Sequence, residues 1–148
     1  MYDSTEDTQK HIARVVALLE SVKLDISERQ LKHDSSKLEP PEKEVFDKVT
    51  PKLKELSYGS IEYYEQLSDM QVALQHHYNS NRHHPEHFVS VDDMSLLDII
   101  EMLVDWKAAS ERHNDGNIYK SIEINAERFN LSPQLKSILL HTALYLGW

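Results

Sequence analysis

Apolar side chains recur at helical spacing through almost every stretch of this chain, and no segment shows the alternating pattern of a half-buried strand. From residue 4 to about 24, Ile12, Val15, Val16, Leu18, Leu19 and Val22 form an i, i+3, i+4, i+7 stripe. That period leaves helix-on-helix packing as the way to build a core. A second helix is expected from Ser27, as N-cap, to about Leu38, ending before Pro40 and Pro41. A third is expected from Glu42 to about Leu56, kinked or divided by Pro51. After a turn at "SYGS", 57–60, a fourth is expected from Ile61 to Tyr78. The fifth, from Ser95 to Glu111, is apolar on most sides ("LLDIIEMLVDW") and reads as a central buried helix. "HNDGN", 113–117, is a turn, and helices over 118–129 and 133–146 follow, the last with Ser132 as N-cap and Pro133 at N1. The expectation is an all-α bundle of about six to seven helices in one domain, 1–148.

Composition narrows the function classes. At 148 residues one hydrophobic core suffices, and three glycines and five prolines leave no linker between domains. No apolar run reaches the roughly 18 residues that cross a membrane. The acidic start "MYDSTEDTQK" is not that of a signal or transit peptide, so a cytoplasmic protein is expected. Without cysteine there is no disulfide, thiolate zinc site or cysteine nucleophile. A net charge of −9 argues against duplex nucleic acid as a partner. It leaves room for a phosphorylated substrate, because bound divalent cations reverse the local field. A homodimer is left open.

Four places carry side chains able to do chemistry. His11 precedes Val15 by four residues and Leu18 by seven, so it shares the inward stripe, where a hydrogen-bonded core role competes with metal ligation. In "KHDSSKL", 32–38, His33 and Asp34 are adjacent, and Leu31 and Leu38 flank Asp34 at i−3 and i+4. An ionised aspartate on an apolar face needs a cation or several donors. Lys37 stands one turn beyond His33, within reach of a ligand held there; the alternative is a local Asp34–Lys37 pair worth about 0.3 kcal/mol. "HHYNSNRHHPEH", 76–87, holds His76, His77, His83, His84 and His87, five of the nine histidines. His77 continues the apolar stripe of its helix, His76 points about 100° away, and His83 and His84 lie on irregular backbone. Four imidazoles so placed suit Zn, Fe, Mn, Co or Ni; the alternative is a polar loop. "EMLVDW" sets Asp105 among apolar neighbours, although Asp98, Glu101 and Arg112 could make that side a solvated stripe.

The order His11, His33-Asp34, His76-His77, Asp105 resembles the HD superfamily of helical, metal-dependent phosphohydrolases. "HDSSK" is similar to the HDxxK form of the two-metal branch, in which a His-His pair precedes the late Asp by nearly thirty residues; here His77 and Asp105 are 28 apart. More narrowly, "HDSSKL", "HHYNSNRHHPEH" and "EMLVDW" together resemble an uncharacterised domain family of bacteria and phages with HDxSK and NxHH segments. The likeness covers about residues 8 to 110. No "GYP" is present, so the cyclic-di-GMP specificity of HD-GYP enzymes is not implied. No histidine lies between His33 and His76, so His83 or His84 replaces a ligand, or the site holds one ion.

The resemblance implies one or two divalent ions (Mn, Fe, Co, Ni or Zn) and hydrolysis of a phosphomonoester or phosphodiester in a nucleotide or other small phosphorylated substrate. His11, His33, Asp34 and Asp105 would hold the first ion. His77, with its neighbour His76, and one of His83 or His84 would hold a second or contact phosphate. Asp34, His77 and Lys37 would carry catalysis, Lys37 as the phosphate-side cation, with Arg82, His83 and His84 contacting substrate. Two other readings stand beside it: an HD-like diiron oxygenase, and a non-catalytic protein stapled by metal, of phage origin or otherwise.

Overall fold

In a computed structural model, residues 2–55, 61, 62, 65, 68, 70–112 and 116–148 are described. Among them the fold is all-α, with no strand, as the periodicity requires. The helices are α1 (Thr5–Lys32), α2 (Glu42–Glu55), α3 (Gln71–Ser80), α4 (Leu96–Ser110), α5 (Ile118–Arg128) and α6 (Pro133–Tyr145), with short 3-10 turns at Ser35–Leu38, Pro85–His87 and Val91–Asp93. No described helix is long and apolar enough to cross a membrane. The turn expected at 57–60, the first residues of "HNDGN" and the aromatic positions Tyr58, Tyr63 and Tyr64 lie outside the described residues.

By its contacts the chain groups into two compact units, Met1–His33 and Asp34–Trp148, with the boundary inside the His33-Asp34 pair. The first unit is α1 alone. Its helix runs unbroken through Ser27, which does not act as an N-cap but donates its hydroxyl to the Lys23 carbonyl at 2.9 Å. The expected break at 25–26 is absent because nothing there stops a helix. Leu24, Asp25 and Ile26 include neither Gly nor Pro, and Asp25 takes Arg29 as an i+4 partner at 2.5 Å.

In the second unit, α2 continues through Pro51, so this proline does not divide the helix. The core gathers Met94, Met102, Leu103, Ile118, Ile122, Ala126, Leu131, Leu139 and Ala143, from α4, α5, α6 and their connections. Each of these helices begins with a side-chain cap. Ser95 and Asp98 form a capping box on α4; Asn117 accepts from the Tyr119 and Lys120 amides; Ser132 accepts from the Leu135 amide. Helix α4 is not apolar all round its buried side: Met102 and Leu103 enter the core, but Asp98, fully buried, faces elsewhere. That second face positions the site.

Candidate metal centre

Asp98, Glu101 and Asp105 stand at i, i+3 and i+7 on α4, one above another. The three consecutive residues after Asn81 meet them in order. Arg82 donates to both Asp98 oxygens, from Nε at 3.2 Å and Nη2 at 3.0 Å. His83 Nδ1 lies 3.2 Å from Glu101 Oε1. His84 sits in the field of Asp105. The expected solvated stripe is therefore the surface against which the histidine loop is registered. The loop's other side is tied down too: His87 Nδ1 donates to the Tyr78 carbonyl at 2.8 Å, and Arg128 donates to Glu86 at 2.7 Å.

On the other side, Glu42, in the first turn of α2, is fully buried and holds two adjacent imidazoles of α3. His76 Nδ1 is 2.7 Å from its Oε1 and His77 Nδ1 2.9 Å from its Oε2. Burial works to raise the Glu42 carboxyl, but hydrogen bonds from His76, Ser36 and His77 and the charge on His77 outweigh it and hold the group low. An ionised carboxylate only accepts, so each of those Nδ1 atoms carries its proton. Asn81 does not compete for His77: its two amide hydrogens go to the His77 carbonyl and to Ser36 Oγ, both at 2.8 Å.

With Nδ1 of His77 and of His83 turned to carboxylates, their Nε2 edges converge on one oxygen. Asp34 Oδ1 is 3.3 Å from His77 Nε2 and 3.5 Å from His83 Nε2. His84 Nε2 joins them, 2.8 Å from His77 Nε2. One ligand atom from each of Asp34, His77, His83 and His84 lies within 4.8 Å of the other three. His77 and His83 are each 2% exposed, so water screens the cluster weakly. Burial tends to raise the Asp34 carboxyl, yet hydrogen bonds from His77, His83 and Lys37 and the Lys37 charge hold it far below the usual carboxylate range. Burial, helped by the charges on His83 and His77, pushes His84 down to about 3 against the opposing fields of Asp105 and Asp34, so its imidazole is neutral near pH 7.

The donor set fits a metal. One ionised carboxylate oxygen and three imidazole nitrogens, all within 4.8 Å of one another, are the ligand types that a borderline divalent ion takes. Without an ion, protons on the imidazole edges answer the Asp34 charge; a cation can replace them, since deprotonated imidazole presents a lone pair at the same nitrogen. Carboxylates behind the ring nitrogens remote from the ion are the usual second layer of such a centre. The backbone at Asp34 supports a special role as well. It adopts the left-handed conformation, φ 54° and ψ 12°, which Asp tolerates better than most residues and which the surrounding contacts must maintain.

Of the residues expected to form the site, Asp34, His77, His83 and His84 are brought together, and an Asp105 oxygen lies within 4.8 Å of an Asp34 oxygen. Lys37 donates to Asp34 Oδ2 at 2.7 Å, leaving Oδ1 for the histidines. His76 faces Glu42 and stands outside the group of four. Arg82, expected on the substrate side, is committed to Asp98 and lies 4.9 Å over the Phe88 ring. His33 caps the C-terminus of α1 and is bonded to Asp34. His11 does not join it: the two share one continuous helix, about 33 Å apart along its axis at 1.5 Å per residue. Glu42, Glu101, Ser36 and Asn81 carry no expected role in the sequence. Glu101 had a signal in its i+3 and i−4 spacing from Asp98 and Asp105, and Ser36 and Asn81 are the fixed Ser and Asn of the HDxSK and NxHH segments; Glu42 had none.

Residues 1–144 match the model of a family of unknown function, DUF5662, and the chain belongs to that family. No curated protein matches the chain. No solved structure matches it either.

Proposed function

We propose that this member of the DUF5662 family is a metal-dependent phosphohydrolase acting on a small phosphorylated substrate, with its ion held by Asp34, His77, His83 and His84. The observation that carries the reading is the convergence of those four ligand atoms within 4.8 Å in a buried setting. Three nitrogen donors favour Mn, Fe, Co, Ni or Zn over Mg or Ca, which prefer oxygen. Such an ion would supply positive charge to a phosphoryl group and acidify water to near-neutral pKa. The chain's own residues do the rest. Lys37, 38% exposed at its side chain, can turn its ammonium from Asp34 to a phosphoryl oxygen and orient the ester. Asp34 answers Lys37 with one oxygen and the imidazoles with the other, which keeps the cation beside the site. His84, neutral at working pH, offers its nitrogen without first losing a charge. In the reaction the oxygen of water bonds to phosphorus, and the ester oxygen leaves with the electron pair of the broken P–O bond and takes up a proton.

The test is the metal content of tag-free protein by inductively coupled plasma mass spectrometry, followed by turnover on a panel of phosphomonoesters and phosphodiesters. Retained transition metal and hydrolysis that disappears in Asp34→Asn are expected. Retained iron with oxygen uptake and no hydrolysis would replace the reading with an oxidative one. Unchanged turnover in Asp34→Asn would remove the centre from the chemistry.

A further inference from the structure

Glu42 is a fully buried carboxylate behind the centre, and a sequence that needed only a stable fold would gain little by placing it there. Burying a carboxylate is costly unless several donors meet it. Here three do: Nδ1–H of His76, Nδ1–H of His77 and the Ser36 hydroxyl, which is itself oriented by Asn81. The start of α2 adds the favourable end of a helix dipole. Its two oxygens are divided between two neighbouring residues of α3, so a single group sets the ring orientation of both.

We infer that Glu42 is the positioning residue of the metal centre: it keeps the proton of His77 on Nδ1 and so delivers Nε2 to the ion. This rests on the metal centre proposed above. The geometry behind it is specific. Rotating the His77 ring to present Nδ1 to the ion would break its 2.9 Å contact with Glu42, and moving the proton to Nε2 would set two acceptors against each other at that distance. Either change removes the nitrogen that now faces Asp34 Oδ1 at 3.3 Å. His76 shares the same lock but turns its outer edge to solvent, half-exposed, and so is fixed without being a ligand.

The experiment uses the full chain and zinc alone. Histidine side-chain nitrogen NMR on metal-free protein at pH of about 8 should show His77 with its proton on Nδ1. Zinc affinity, by competition with a chromophoric chelator, should fall roughly 10- to 100-fold in Glu42→Leu, the usual effect of losing the group behind a ligating histidine. In Glu42→Gln, which offers one acceptor instead of two, the proton of His76 or His77 should shift to Nε2. Unchanged affinity in folded Glu42→Leu, or a His77 Nδ1 that carries no proton in the wild type, overturns the inference. If Glu42→Leu does not fold, the wild-type spectrum decides. Absence of zinc binding by the wild type sinks the metal centre itself, while the His77 spectrum still reports separately on Glu42.

Discussion

At the scale of single residues, Asp34 combines two requirements that substitutions can separate. Its carboxylate faces His77 and His83, and its backbone is left-handed at φ 54°. Asparagine tolerates that conformation nearly as well as aspartate, whereas alanine pays about 1 kcal/mol for it. Both Asp34→Asn and Asp34→Ala should therefore lose zinc, and in chelator Asp34→Ala should be the less stable of the two by about 1 kcal/mol in urea denaturation. Equal zinc affinity in Asp34→Asn and wild type would remove Asp34 from the centre. The same residues set a pH dependence in the ion-free protein. His84 is depressed to about 3 from an ordinary 6.5, so protonation favours the unfolded chain. Its stability contribution is complete above pH 6.5 and lost as pH falls toward 3. The lowered Asp34 adds a loss of the same sign below its ordinary 3.8. Melting in chelator should thus move steadily downward between pH 7 and pH 4; a flat profile would contradict the burial of the His84 ring.

At the scale of elements, helix starts are legible where a cap or a proline marks them, as Pro40 and Pro41 do ahead of α2. Ser95 with Asp98, and Ser132 with Pro133, mark the starts of α4 and α6 where the structure has them. Ser27 misled because a serine with Gln30 three residues later resembles a capping box, while in mid-helix its hydroxyl bonds the carbonyl one turn back. Glu28→Pro separates the two cases. Were Ser27 a cap, proline would occupy N1, where it is welcome. Within a continuous α1 it removes a hydrogen bond and collides with the preceding turn, at about 3 kcal/mol, far more than the exposed Glu28–Lys32 pair at 3.9 Å contributes. Loss of far-UV ellipticity is expected, and unchanged ellipticity would restore the break. The site was legible in its ligands and less so in its supports. Histidines cluster in the sequence, but Glu42 meets His77 across 35 positions, and no spacing announces such a pair. Asp98 shows the same limit. It reads as a solvated helix position, yet it accepts from Ser95 and Arg82 in full burial and fixes the histidine loop on α4. Asp98→Ala should cost about 2 kcal/mol, because it removes the capping box of α4 and the hydrogen bonds from Arg82, whose half-exposed side chain returns to water, and should weaken zinc binding with it. A stability loss under about 1 kcal/mol would show that the loop is held by other contacts.

At the scale of the whole molecule, the four ligands come from distant parts of the second unit: the turn after His33, helix α3 and the loop before Pro85. An ion there cross-links segments that a separation of 43 positions leaves free in the unfolded chain, and it places positive charge in a protein of net charge −9. Both effects act on the folded state alone, so binding appears as stability. At a free concentration 100 times its dissociation constant, zinc should add about 2.7 kcal/mol, a rise in Tm of about 5 to 10 °C for a chain of this size. The rise should vanish with chelator, be much smaller with magnesium, and be absent in Asp34→Asn. That variant is the deciding control, because the chain has nine histidines and zinc could stabilise it from several of them. An equal rise in Asp34→Asn would mean that the ion binds elsewhere, and the converging nitrogens of His77, His83 and His84 would then be a proton-filled polar core that stabilises the fold without a metal.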